Sequence, residues 1–369
     1  MKKILMIGPF PGSLNGQTIA NQTIYEGLAK KYRIDRINTL KEEGFEDKSQ
    51  QGKFKIGKFT RIISQMRKEI LMIFNGNYDV IYMTSGQSYL GFMRFSPYML
   101  ASTIKKVPYY NHIHGGFFRK MYNSQSKLKQ KIINFFLNKS TGMIVLGDSL
   151  RSMFQGIIPE NKIFVCENGV QDEFIATEDE INEKIKKYSR DDKKRVLYLS
   201  NLMEEKGILD LLKVSEKFSD EEIEFNLAGA IEPSLEKIVK EYLEKYPNKI
   251  KYHGIARGKQ KKKLLFENYI FILPTYYSNE GQPISILEAY TNGCSVITDE
   301  SIGGIRDIFC DNKNGLSCQN RSIKSIYDVI KNINEKEYMK MNYDYGKEKF
   351  SNDNFTGRIV KIILGDLNE

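Results

Sequence analysis

Short apolar runs recur along the chain, each closed by small, polar or proline residues. Ile4–Ile7, Val80–Met83, Tyr109–Ile113 and Met143–Leu146 read as buried strands of a parallel sheet. Between them lie stretches with helical spacing, such as Ile19–Leu28 behind a Gly16-Gln17-Thr18 start. Around residues 172–194 the pattern breaks. Glu178-Asp179-Glu180 and Arg190-Asp191-Asp192-Lys193-Lys194 suit a linker plus a surface helix. The alternation then restarts, with Val196–Leu199, Phe225–Ala228, Ile270–Leu273 and Ser295–Thr298 as strands. This predicts an α/β chain of two parallel-sheet domains in series, meeting near residue 172.

In open parallel sheets, ligands bind beyond the carboxyl ends of the strands, so the loops there carry the candidate chemistry. After the first strand, Gly8-Pro9-Phe10-Pro11-Gly12 is not a dinucleotide fingerprint, because Pro9 and Pro11 remove backbone donors. The segment from Phe271 to Gly293 is more informative. A strand ends at Pro274, Pro283 suits the first position of a helix, and Gly293 suits its stop. Glu280 then sits in the loop above the sheet, and Glu288 on the helix beside Ile284 and Leu287, where partial burial is expected. A buried carboxylate needs a partner, and sugar hydroxyls can donate to it. The plain structural alternative is that Glu280 caps the helix and Glu288 forms an ordinary ion pair. After the strand Val196–Leu199, Lys206 stands at or just before a helix start. Backbone N–H groups, the helix dipole and an ammonium would there make an anion site; the alternative is a solvated lysine. Together the two loops point to a phosphorylated, hydroxyl-rich ligand, a nucleotide sugar. Lys259-Gln260-Lys261-Lys262-Lys263 reads as the wet face of a helix start.

Charge divides the chain. Residues 1–172 hold 25 basic and 12 acidic residues (+13), and residues 173–369 hold 31 and 34 (−3). From Lys53 to Lys139 there are 15 basic residues against only Glu69 and Asp79. Such a field suits phosphate-bearing partners, whether nucleic acid, an anionic membrane or a lipid diphosphate. No nucleic-acid recognition signature accompanies it. In Lys53–Lys68, cations alternate with Phe59, Ile62, Ile63 and Met66 at helical spacing. Lys53, Lys55, Lys58, Arg61, Arg67 and Lys68 are therefore candidates to meet anionic lipid. The composition, 41% apolar and 28% charged, is that of an ordinary soluble protein. No run approaches the roughly 18 apolar residues of a membrane helix. The basic, briefly apolar start reads as a first strand rather than a signal peptide. Cys166, Cys294, Cys310 and Cys318 lack Cys-x-x-Cys spacing, which fits a reduced, cytoplasmic setting. His112 and His114 alternate on one strand, and no Asp-x-Asp is present, so no metal site is expected.

Glu280-Gly281-Gln282-Pro283 followed by Leu287-Glu288-Ala289 resembles the Glu-x7-Glu motif of the retaining glycosyltransferases of family 4, the glycosyl transferases group 1, which have the GT-B fold. Other pieces fall in the family's order. Asn15-Gly16 resembles the early glycine turn facing the diphosphate, and His112-Ile113-His114-Gly115-Gly116 the strand end with an active-site histidine. Glu167-Asn168-Gly169-Val170 resembles the domain-junction turn, Lys206-Gly207 the phosphate-binding pair, and Ala228-Gly229 the next glycine turn. Gly303-Gly304 and Asn314-Gly315-Leu316 resemble the closing signatures.

The resemblance implies two Rossmann-like domains facing a central cleft. Residues 1–172 would bind the acceptor and 173–349 the nucleotide sugar, with a last helix, about 350–369, packing back on the first domain. Lys206 would neutralise the diphosphate, Glu288 hold the ribose and Glu280 the donor sugar. His114, or less so His112, would stand by the reacting sugar. Gly16, Gly229, Gly281, Gln282, Pro283 and Ile284 would complete the donor site. The family usually has an arginine where this chain has Ser200-Asn201, and Arg257 is the candidate to compensate. The expectation is a retaining, metal-independent hexosyltransferase without cofactor. It would move sugar from a nucleotide donor, UDP over GDP, to a glycan or lipid-diphosphate-linked acceptor in surface polysaccharide synthesis. Its setting would be cytoplasmic and peripheral at the inner face of the membrane. The competing readings are a catalytically inactive partner subunit or chaperone of a glycosyltransferase, and a nucleic-acid binder.

Overall fold

The computed structural model describes residues 1–10, 16–40, 56–188 and 193–365, the side chains of 56–63 excepted. Twelve strands run in the described residues: β1 Lys3–Gly8, β2 Arg33–Asn38, β3 Val80–Met83, β4 Tyr109–Ile113, β5 Gly142–Val145, β6 Ile163–Val165, β7 Lys194–Leu199, β8 Ile223–Ala228, β9 Ile250–Tyr252, β10 Ile270–Leu273, β11 Ser295–Thr298 and β12 Gly315–Ser317. They form two six-stranded sheets, ordered β2-β1-β3-β4-β5-β6 and β12-β11-β10-β7-β8-β9, and every pairing is parallel. The α/β class and its two parallel sheets follow the sequence pattern.

The chain divides into two compact units, Met1–Cys166 with the stretch from Thr356, and Glu167–Phe355. The boundaries expected from the sequence are 172 and 349. In the structure residues 167–172 group with the second sheet, where Val170 N–H donates to Phe350 O (2.8 Å). The final helix is Asn352–Leu364.

Topology decides where ligands can go. Counted from β7, the second sheet has the doubly wound order 3-2-1-4-5-6, whose direction of winding reverses between β7 and β10. In the first sheet the reversal falls between β1 and β3. At such a point the connecting loops run in opposite directions and leave a crevice at the carboxyl ends of the strands.

Three local expectations change. Lys194, read as part of a polar break, begins β7. Its ammonium reaches the carbonyls of Ile330 (3.1 Å) and Ile333 (2.9 Å), at the end of helix Ile323–Asn332, and pairs with Glu335 (3.1 Å). Helix Glu178–Tyr188 is a surface helix on one side only. Lys184 is fully buried, donates to Leu265 O (2.8 Å) and Asn292 O (2.6 Å), and has its pKa lowered by burial. Pro283 precedes helix Ile284–Tyr290 rather than occupying its first position. Asn15, Lys53 and Lys55 lie outside the described residues, as do the side chains of Lys58, Phe59, Arg61, Ile62 and Ile63. Among the described residues no helix is long and apolar enough to cross a membrane.

Gly315 shows how tightly the second sheet is closed. Its φ is +148°, and a Cβ there would collide with the Val296 carbonyl across the β11–β12 pair. Gly315→Ala is expected to cost at least about 2 kcal/mol of stability, read as a lower denaturant midpoint.

Candidate functional site

The reversal point of the second sheet gathers the predicted chemistry. After β7 the chain passes Ser200–Met203 into a turn at Glu204–Lys206, then Gly207 at φ +77°, then helix Ile208–Ser215. A Cβ on Gly207 would strike the Pro274 carbonyl, so glycine lets Lys206 lie against the end of β10. The loop after β10 is pinned to the loop after β7 by Tyr276 N–H donating to Glu205 O (2.9 Å). Across this junction the Lys206 ammonium is paired with Glu280 Oε2, to which Thr275 Oγ1 also donates at 3.2 Å. Lys206 also stands 4.9 Å over the Tyr277 ring. Glu280 is only 8% exposed. Its backbone is held by the loop after β11: Gly304 N–H donates to Gly281 O (2.9 Å), and Gly303, at φ +51°, leaves no room for a side chain against the Glu280 carbonyl. Glu280 thus pairs with a lysine rather than capping the helix.

Glu288 sits on helix Ile284–Tyr290 and is 3% exposed. Its Oε1 accepts from the Lys261 ammonium at 2.6 Å, and Lys261 lies 3.6 Å over the Phe174 ring. Glu288 Oε2 has no hydrogen-bond partner among the described residues. The ion pair foreseen as the plain alternative for Glu288 is therefore present, and one carboxylate oxygen is left over. The reading of Lys259–Lys263 as a wet helix face is corrected at its centre. Lys261 is 8% exposed because it stands three and four positions before Leu264 and Leu265, on the buried stripe of helix Gly258–Glu267. The lysine run masked that phase in the sequence.

The remaining predicted residues surround these pairs unevenly. Gly229 has φ +150°, and a Cβ would collide with the Ser200 carbonyl, so the turns after β7 and β8 touch through backbone alone. Asn201 is exposed; its carbonyl accepts from Tyr198 Oη (3.0 Å). Arg257 is exposed at the start of helix Gly258–Glu267, and its guanidinium makes no bond to the described residues. Gln282 is buried, and its Oε1 accepts the Asn168 N–H (2.6 Å). Ile284 is buried at the first turn of the Glu288 helix.

In the first unit, Gly16 opens helix Gly16–Ala29, exposed and with open space around its Cα. His112 ends up fully buried on β4. Its Nδ1 lies 2.7 Å from Tyr82 Oη, and its ring 4.1 Å from that of His114. Burial, then the neighbouring His114, pushes the His112 pKa well down, so its imidazole stays neutral. His114 is the more exposed of the two. Asn21, whose Nδ2 donates to Pro9 O (2.8 Å) and Thr84 Oγ1 (2.8 Å), braces the reversal point between β1 and β3.

Residues 179–350 match the family model of glycosyl transferases group 1. The matched stretch lies within the second unit. It is 26% identical over 280 residues, 70% of either chain, to the uncharacterized glycosyltransferase MJ1607 of Methanocaldococcus jannaschii. Two solved GT-B structures align over nearly the whole chain. Anabaena Alr3699/HepE in complex with UDP has a TM-score of 0.71 at 14% identity, covering 98% of this chain and 99% of that one. Sucrose-phosphate synthase from Thermosynechococcus elongatus has 0.73 at 13% identity, covering 98% of both. At this identity they establish the GT-B fold.

The Lys261–Glu288 pair makes a stability prediction. Lys261→Ala strands a buried carboxylate and should cost about 3–5 kcal/mol. Lys261→Met with Glu288→Leu removes both charges and should recover most of that loss. Urea unfolding of the single and double variants reads the difference; equal loss in both would mean the pair is not electrostatically coupled.

Proposed function

We propose that this glycosyltransferase moves a sugar from a UDP-sugar to a glycan or lipid-diphosphate-linked acceptor, with retention and without a metal. The observation that carries the reading is the Lys206–Glu280 pair across the reversal point, with Glu288 on the helix that follows the Glu280 loop. The UDP held by the Anabaena relative supports the choice of base. On donor binding the diphosphate competes with Glu280 for the Lys206 ammonium. Glu280, released, accepts from hydroxyls of the sugar, and the free Oε2 of Glu288 accepts from the ribose. The acceptor hydroxyl attacks the anomeric carbon from the face the diphosphate leaves, and the departing diphosphate takes its proton, so no protein base is required. Lys206 stabilises the charge that grows on the leaving group, the step in which fixed electrostatics matter most. Arg257 supplies the second cation that Asn201 does not, and Gly229, Gly281, Gln282, Pro283 and Ile284 shape the donor pocket. Gly16 and His114 are the residues of the first unit to which the family resemblance assigns a role. The basic first unit works at an anionic membrane surface on the cytoplasmic side, where surface polysaccharide is made.

Lys206→Ala should weaken UDP at least roughly tenfold and uridine little, because only UDP carries the charge being paired; calorimetry with both ligands checks it, and equal losses would remove Lys206 from the diphosphate. Glu280→Ala should lower turnover roughly ten- to a hundredfold, measured with a panel of labelled nucleotide sugars. Wild-type rates in folded Glu280→Ala would sink its role. UDP binding with no turnover of any donor by the wild type would instead make the chain an inactive partner subunit.

A further inference from the structure

Between Asp79 and Asp148 the chain contains no acidic residue and nine basic ones. The helices in this stretch also leave apolar side chains outside. Helix Lys127–Lys139 turns Ile133 and Leu137 into the core, yet Leu128, Ile132 and Phe135, at i, i+4 and i+7, are exposed, Leu128 by 70%. Helix Ser96–Lys105 packs beside it and beside helix Ile56–Asn75. It leaves Leu100 and Ile104, at i and i+4, exposed, Ile104 by 61%. Leu71 and Met72 continue the exposure on helix Ile56–Asn75. Eight of the twelve large apolar side chains exposed among the described residues fall between residues 71 and 135. Scattered exposed apolar residues need no explanation, but three adjoining helices that share the feature do. Exposed lysines frame them: Lys127, Lys131 and Lys139 on one helix, Lys105 and Lys106 at the end of its neighbour.

We propose that this three-helix face docks on an anionic lipid bilayer, its apolar side chains entering the boundary between headgroups and acyl chains while the lysines meet lipid phosphates. Both halves of the pattern are what an interfacial surface requires: apolar area for insertion and cations for the anionic headgroups. A second copy of the chain is a poorer occupant, since a symmetric contact would set lysine rows against each other, with Glu69, which already accepts from Tyr98 Oη, the single acidic residue on the three helices. The inference rests on the membrane part of the reading above; it adds which helices make contact and that the contact is apolar as well as electrostatic.

The test is flotation of the full chain with phosphatidylglycerol/phosphatidylcholine vesicles and with phosphatidylcholine alone, at low and high salt. Two variants are compared, L128S/I132S/F135S and K127E/K131E. All five side chains are exposed and outside the donor site, and a circular dichroism melt confirms the fold. The wild type is expected to float with anionic vesicles only. The serine variant should lose at least roughly tenfold in partition, and the glutamate variant should lose binding even at low salt. A serine variant that partitions like the wild type overturns the apolar contact and leaves the electrostatic reading standing. A wild type that ignores anionic vesicles at low salt overturns both, and points to an acidic protein as the occupant.

Discussion

A carboxylate taken out of water must find a cation, and the second unit is organised around that constraint. Glu280 and Glu288 are both nearly buried, and each is answered by a lysine from a distant part of the chain: Lys206 after β7 and Lys261 from helix Gly258–Glu267. The glycines at 207, 229 and 303 serve the same arrangement. Each stands where a side chain would collide with a carbonyl of a neighbouring loop, so the loops close on the charged groups through bare backbone. A buried ion pair usually stabilises less than an apolar pair of similar shape. Removing one partner of such a pair is costly all the same, because it leaves the other charge buried and unanswered.

The first unit handles charge in the opposite way. Its sheet edge has the neutral His112, Asn21 and Thr84, joined by hydrogen bonds to tyrosine hydroxyl and backbone. Its cations are placed outside, on helices with almost no acidic residues to quench them. One unit concentrates paired charge within, while the other presents unpaired charge without. The second unit's charges act through specific contacts, while the first unit's make a surface field, which weakens with salt and does not choose among anions.

The central strands were legible because they are buried on both faces and must be apolar throughout. Val80–Met83, Tyr109–Ile113, Ile270–Leu273 and Ser295–Thr298 were read to the residue. The four strands missed, β2, β6, β9 and β12, are the edges of the two sheets. An edge strand has one neighbour and is half covered, so Arg33-Ile34-Asp35-Arg36-Ile37-Asn38 can be as polar as a loop and still pair. Lys261 was missed for a related reason: a lysine run looks solvated, and only the phase against Leu264 and Leu265 shows that one member faces inward.

The order of the motifs, the positions of Glu280 and Lys206 in loops after strands and that of Glu288 on the following helix were determined by the sequence alone, because strand and helix periodicities are local and their boundaries place the loops. The pairing of those residues was not. Lys206 and Glu280 are 74 positions apart, and only the strand order that makes β7 and β10 neighbours brings them together. Lys261 meets Glu288 because of the way one helix rotates against another. Such contacts are set by topology and packing, which depend on the whole chain at once and leave no periodic trace in any one segment of it.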